Sequence, residues 1–209
     1  MLKDRNELMM LINSILRHDI LNDLTAILGL IEAYESLHDE SILEKIKSRI
    51  LDASKMIKRM KELEVLISEG GELKPVEVRS VVEEVKAKHD AEVRLVGNCR
   101  FMADDAIYSV FDNLIRNAIN HGKSEVVEIS CEQNEDFCEI RVTDYGEGIP
   151  DEIKEKIFER GTRFGEGGVM GLGLYIVRKV IERYGGRVRV EDNYPKGTVF
   201  VLELKRAPC

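Results

Sequence analysis

The sequence predicts an α+β chain: an N-terminal helical hairpin that dimerises into a four-helix bundle, followed by a two-layer α/β sandwich. Three observations carry this. Residues 1 to about 67 contain no Pro and a single Gly, Gly29. The run Glu69-Gly70-Gly71-Glu72 then breaks the helical pattern. Beyond it, short apolar–polar alternations interleave with helical periodicities, the texture of a sheet covered by helices. The expected domains are 1–68 and 75–209, with a linker at 69–74.

In the first domain, Leu16, Ile20, Leu24, Ile27, Ile31 and Tyr34 recur mostly three and four apart, which is one face of a helix. A second seam runs Ile46, Ile50, Ala53, Ile57, Met60. Between them Ser36-Leu37-His38-Asp39-Glu40-Ser41 has turn chemistry, with an N-cap at Asp39 or Ser41. Two helices alone cannot cover both seams. Pairing two hairpins can, so a homodimer is expected through this region.

In the second domain a short strand near Leu73–Val78 leads into a helix ending near His89. Glu92-Val93-Arg94-Leu95-Val96 alternates as a strand, and residues about 105–121 read as an amphipathic helix. Val126–Glu132 and Phe137–Thr143 form a hairpin across Asn134-Glu135-Asp136. A helix from about Leu172 to Tyr184 stops at Gly185-Gly186, and strands Arg187–Glu191 and Thr198–Leu204 close the domain.

The bulk numbers exclude some function classes. With 33% charged residues and a net charge of −8 over 209 residues, the chain is not expected to bind nucleic acid. No apolar run approaches the roughly 18 residues of a membrane span, and the first residues lack a signal peptide's apolar core. The expected location is the cytoplasm, with any sensor region on a longer parent chain or an upstream partner. The four cysteines show no C-x-x-C spacing and read as free thiols, with Cys131 and Cys138 on adjacent strands where they could face each other.

Three segments carry chemistry. In Asn113-Leu114-Ile115-Arg116-Asn117-Ala118 the two Asn share one helix face, and an amide oxygen is a hard neutral ligand suited to Mg²⁺ held mainly by phosphates. In Asp144-Tyr145-Gly146-Glu147-Gly148-Ile149-Pro150 a carboxylate at a strand end can accept from an exocyclic amine such as adenine N6, and Gly146 and Gly148 permit close backbone approach. Gly171-Leu172-Gly173-Leu174 opens a helix whose N-terminal amides suit phosphate oxygens. The intervening Asp151–Met170 reads as a mobile lid. Order and spacing together describe a nucleotide pocket, with His121, at the end of the Asn-bearing helix, a candidate to line it.

Upstream, Arg17-His18-Asp19-Ile20-Leu21-Asn22 offers a phosphate acceptor. His18 points away from the seam of Leu16 and Ile20 and is expected to be exposed. Asp19 can bond one ring nitrogen and make the other nucleophilic, and Asn22 lies one turn on, where it can position a water or a phosphoryl oxygen. His38, His89 and His121 are less suited as acceptors by position.

The three segments, with Phe158-Glu159-Arg160 between them, resemble the ATP-binding domain of sensor histidine kinases, in the superfamily of gyrase, Hsp90 and MutL. The resemblance covers about residues 72–205. It implies Asn117 as the Mg²⁺ ligand, Asp144 as the adenine reader, and Gly146, Gly148, Gly171, Leu172 and Gly173 as the pocket's frame. Asn113 belongs to the same nucleotide site. Arg163 falls where the family often has a basic lid residue near the terminal phosphate. The lid end departs from the usual Gly-x-Gly-Leu-Gly, with Gly168 displaced by one, and Asn120 stands where a basic residue is usual. In ATP-hydrolysing relatives a Glu four residues before the metal Asn activates water; Asn113 stands there and cannot take a proton.

The His18 run is similar to the His-Asp-x-x-Asn variant of the family's phosphoacceptor box, with Asp23 where the commoner box has Pro. The implied function is ATP-dependent autophosphorylation on His18, transfer to an Asp of a response-regulator receiver domain, and receiver dephosphorylation supported by Asn22. Residues 1–68 then dimerise and carry the histidine, and 75–209 are the catalytic domain. The alternatives are a non-kinase phosphotransfer or scaffold protein with a degenerate ATP domain, an ATPase clamp, and a serine kinase of the same superfamily.

Overall fold

The computed structural model describes residues 2–68, 71–120, 122–159 and 173–208, with the backbone alone for residues 2–19, 55–56 and 58–68. The chain divides into two compact units, Met1–Gly70 and Gly71–Cys209.

The first unit is a helical hairpin. Helix α1 runs Leu2–Leu37 and α2 runs Glu40–Ser68. The chain reverses at His38, whose φ is 51°, and Asp39 caps α2 by accepting the Ser41 N–H at 2.9 Å. That bond holds the Asp39 carboxyl below its ordinary pKa. Of the two expected caps, Asp39 is the one used. Arg49 Nη1 bonds Asp23 Oδ1 across the hairpin at 3.1 Å. Ile42 is the buried apolar residue here among those described, while Leu24, Ile31, Ile50 and Ile57 of the two seams stay 39–51% exposed. No helix among the described residues is long and apolar enough to cross a membrane.

The second unit holds β1 (Lys74–Glu77), α3 (Val78–Lys86), β2 (Glu92–Val96), β3 (Arg100–Ala103), α4 (Ala106–Asn120), β4 (Val126–Gln133), β5 (Phe137–Asp144), α5 (Asp151–Lys154), α6 (Gly173–Arg183), β6 (Arg187–Asp192) and β7 (Thr198–Lys205). Five strands form one sheet in the order β2-β4-β5-β7-β6, parallel between β2 and β4 and antiparallel elsewhere. Helices α3, α4 and α6 cover one face with apolar stripes three and four apart: Val78, Val81, Val82 and Val85 on α3, and Ile176, Val177, Val180 and Ile181 on α6. The α+β architecture, hairpin then sheet with helices, is the expected one.

The opposite sheet face is a ladder of charge. Arg141 bonds Glu139 at 3.1 Å and Glu191 at 2.6 Å, and Arg189 bonds Glu191 at 2.9 Å, Glu139 at 3.2 Å and Glu203. Val199 and Val201 point to this same face, in register with Thr143 and Arg141, yet are buried. Val201 stands in register between Arg141 and Arg189, whose long stems cover it.

Four expectations need correction. Strand β3 was not foreseen: it is four residues long and pairs with β1, Phe101 opposite Val76, across more than twenty residues of chain. Helix α3 ends at Lys86 rather than near His89, because Lys88 and His89 N–H groups turn to carbonyls three residues back. The lid read from Asp151 begins too early: Asp151–Lys154 is helical, Ile157 and Phe158 are buried, and the Phe158 ring meets Phe200 edge-on at 6.2 Å. Cys131 and Cys138 are on adjacent strands but not opposite one another, since Cys131 pairs with Ile140 and Cys138 with Gln133. Cys131 Sγ donates to the Val96 carbonyl and Cys138 Sγ to the Arg100 carbonyl, and Cys99 is buried as they are. Burial pushes all three thiols up.

Candidate nucleotide site

Helix α4 forms because Ile107, Val110, Phe111, Leu114 and Ala118 repeat at helical spacing and bury against the sheet. Asn113 lies on that buried side, 3% exposed, where an apolar residue would be routine. Its Nδ2 donates to the Ser109 carbonyl at 2.8 Å, and its Oδ1 accepts from Arg116 Nη2 at 2.5 Å. Asn117, one turn on, is half-buried, and its side chain makes no hydrogen bond among the described residues. The two therefore differ: among the described residues the Asn113 amide is bonded at both ends and the Asn117 amide is not.

Strand β5 alternates Cys138, Ile140 and Val142 inward with Glu139, Arg141 and Thr143 outward. Asp144 takes the next inward place, so the period of the strand carries a carboxylate into the buried layer. Its Oδ1 accepts the N–H groups of Gly146 at 3.0 Å and Thr198 at 3.1 Å. Burial pushes the Asp144 carboxyl above its ordinary pKa, against the pull of those two amides and the Thr198 hydroxyl. Asn193 Nδ2 holds the Asp144 carbonyl at 2.9 Å, and the Ser124 hydroxyl accepts the Tyr145 N–H at 3.1 Å.

The turn after Asp144 is locked onto the loop after α4. A Cβ on Gly146 would lie 1.8 Å from the Gly122 carbonyl oxygen, so no other residue fits without moving backbone. Gly148 has φ 79°. Midway along α4, a Cβ on Gly173 would lie 2.9 Å from Asn113 Oδ1, so the start of α6 abuts the Asn face. The structure thus brings Asn113 and Gly173 together midway along α4, and Asp144, Gly146 and Gly148 together at the loop that follows α4. From Asn113 to Asn120, the last residue of α4, is roughly 10 Å along the helix at about 1.5 Å per residue.

His121, Arg163, Gly171 and Leu172 lie outside the described residues, as do the side chains of His18 and Asp19. The backbone of His18 and Asp19 is part of α1, and Asn22 is exposed on the same helix. Sequence reasoning missed Thr198, Gly122, Ser124 and Asn193, which build the walls around Asp144. Of these, only Gly122 carries a local signal, as a glycine ending a helix. Among the described residues no cluster of three His, Cys, Asp or Glu stands ready to hold a metal by itself.

Residues 102–208 match the family of histidine kinase-, DNA gyrase B- and HSP90-like ATPases. The chain belongs to this ATPase family. It is similar to the sensor protein IrlS of Burkholderia pseudomallei, 37% identical over 55% of this chain and 27% of the relative. The chain spans less than a third of the length of the curated relatives it matches first. Among solved structures, the catalytic domain of histidine kinase ThkA is 30% identical, covers 65% of this chain and 97% of that one, and superposes with a TM-score of 0.57. ThkA in complex with the response regulator protein TrrA covers 99% of this chain and 65% of that one at 24% identity, with a TM-score of 0.69, a likeness of fold that takes in the hairpin as well. The matched residues fall within the sheet-and-helix unit that holds Asn113, Asn117 and Asp144.

Proposed function

We propose that this chain is the catalytic core of a histidine kinase, which phosphorylates His18 from ATP and passes the phosphoryl group to an Asp on a receiver domain. The observation that carries the reading is the buried Asp144, whose Oδ1 is held by two backbone amides in a domain of this ATPase family. A carboxylate so fixed can accept from the adenine N6 amine with its other oxygen. Gly146, closed onto Gly122, and Gly148 would frame the ring's place, and Gly173, with Gly171 and Leu172, would receive the phosphates at the α6 N-terminus. Arg163 and His121 are assigned to the same nucleotide by the sequence.

The donor set fits a divalent cation brought with the nucleotide. Asn117 offers one neutral oxygen, and no cluster of acidic residues among those described would hold the ion alone. Bound there, Mg²⁺ supplies neutralisation of phosphate charge.

In the transfer step a ring nitrogen of His18 forms a P–N bond as the bond from the γ-phosphorus to the β–γ bridging oxygen breaks, and ADP leaves. Asp19 takes the hydrogen bond from the other ring N–H and stabilises the positive ring. The P–N bond is then exchanged for a P–O bond to a receiver carboxylate. Asn22, exposed one turn from His18, would orient the water that dephosphorylates that receiver. Asn113 stands where hydrolysing relatives keep a Glu, so the site has no base there to spend the γ-phosphate on water. The likeness to a kinase solved with a response regulator supports the choice of partner. The exposed seams Leu24, Ile31, Ile50 and Ile57 support a homodimer through the hairpin.

The test is incubation of the full chain with Mg²⁺ and γ-labelled ATP. The expected product is an acid-labile, alkali-stable label, lost in His18→Gln while ATP binding persists. A label that survives in His18→Gln would overturn the acceptor.

A further inference from the structure

We propose that Arg116 is the positioning residue for Asn113: clamped by Asp112, it sets which end of the buried amide faces the start of α6. This rests on the ATP-site reading and extends it to a residue outside the expected site. Arg116 Nη1 donates to Asp112 Oδ2 at 2.8 Å, and Nη2 donates to Asn113 Oδ1 at 2.5 Å. The other Asp112 oxygen, Oδ1, is 3.0 Å from Nε2 of His89, in the turn that follows α3. Asn113 Nδ2 donates to the Ser109 carbonyl at 2.8 Å and lies 3.4 Å from the Ser109 hydroxyl.

Ser109, Asp112, Asn113 and Arg116 are spaced three and four apart, so they form one stripe along α4. A primary amide has a donor end and an acceptor end of nearly equal shape, and only its partners choose between the two orientations. Reversing Asn113 would set its NH₂ against the guanidinium and its oxygen against the Ser109 carbonyl. Both contacts would then repel. The guanidinium is itself fixed, because Asp112 takes one arm and is held from behind by His89. The result is an acceptor oxygen held where the Gly173 backbone passes, with a Cβ there only 2.9 Å away. That is the end of the site assigned to the phosphates. A lysine in place of Arg116 could reach Asp112 or Asn113, but its single ammonium lacks the fork that serves both.

The experiment measures Mg–ATP affinity of the full chain, by displacement of a fluorescent ATP analogue, for wild type, Arg116→Ala, Arg116→Lys, Asn113→Ala and the Arg116→Ala/Asn113→Ala double variant. Arg116→Ala should weaken binding about tenfold, Arg116→Lys should fall between it and wild type, and adding Arg116→Ala to Asn113→Ala should cost less than about twofold. A merely structural arginine would lower the melting temperature without this loss of additivity. Multiplying effects, or wild-type affinity in Arg116→Ala, would overturn the positioning role. Should Arg116→Ala fail to fold, equal affinity of Arg116→Lys and wild type would overturn it instead. A wild-type chain that binds no Mg–ATP would remove the ATP reading itself, and this role with it.

Discussion

Asp144 is the residue where stability and function pull apart. Its carboxyl titrates above the ordinary value because it is buried, so the folded chain holds this proton more tightly than the unfolded one. Stability from this group therefore falls as pH rises from the unfolded pKa through the folded one, and the cost is fully present above it. Asp144→Asn removes that cost, and the amide oxygen can still accept from Gly146 and Thr198. At neutral pH the variant should melt at or above the wild-type temperature, and the difference should vanish below about pH 4. Its NH₂ would face the adenine amine donor to donor, so ATP affinity should drop about tenfold or more. Calorimetric melts and a nucleotide titration check both halves, and wild-type affinity would remove the adenine role. The thiols of Cys99, Cys131 and Cys138 are buried and pushed up, so alkylation near pH 8 should mark them only after denaturation.

At the scale of elements, one aspartate ties three pieces together. Asp104 accepts the Ala106 N–H at 3.0 Å at the start of α4, the Gly71 N–H at 2.9 Å, Arg183 Nη2 at 2.6 Å and the Tyr184 hydroxyl at 2.5 Å beyond α6. Burial and that aspartate push the Tyr184 phenol upward. Asp104→Ala removes the carboxylate acceptor of the Ala106 and Gly71 N–H groups, of Arg183 and of the Tyr184 hydroxyl, which keeps the carbonyl of residue 104 at 3.3 Å, and should destabilise the second unit by about 2–4 kcal/mol. Urea unfolding of residues 72–209 measures it, and a loss under roughly 0.5 kcal/mol would contradict the tie. The charged ladder behaves oppositely to Asp144. Burial pushes Glu139 up, but Arg141 and Arg189 hold it below its usual value, and hydrogen bonds from the same two arginines lower Glu191. Their stabilisation is present above the unfolded carboxylate pKa and lost as pH falls through the folded one. Each pair is half-exposed, so the effect per pair is small.

For the whole molecule, the hairpin leaves more apolar surface than a lone pair of helices can cover. Leu21 and Leu28, at 55% and 61% exposed, add to the four seam residues already named. A second copy would bury them. Light scattering should therefore find the full chain dimeric, and residues 72–209 monomeric and still able to bind ATP. A full chain that is monomeric at micromolar concentration would contradict the bundle. Separating the chemistry is a further test: Asp19→Asn should slow autophosphorylation by about 100-fold or more. Asn22→Ala should spare autophosphorylation and reduce receiver dephosphorylation, and an equal loss of both would make Asn22 a docking residue instead.

The sequence by itself determined what repeats locally or sits within a few residues. The helical seams, the alternation of β5, the Gly185-Gly186 stop and the Asn113–Asn117 face are all read at spacings of two to four, because backbone geometry imposes those periods on any burial pattern. The carboxylate at the end of β5 was legible for the same reason. Only the tertiary structure decided who meets that carboxylate. Thr198 is 54 residues from Asp144 in sequence, and Asn193 is 49. Strand β3 is a strand because β1 lies beside it, and the orientation of the Asn113 amide exists only because Arg116 and Ser109 flank it. Such partners are fixed by strand order and helix packing, which a period of two or four does not encode.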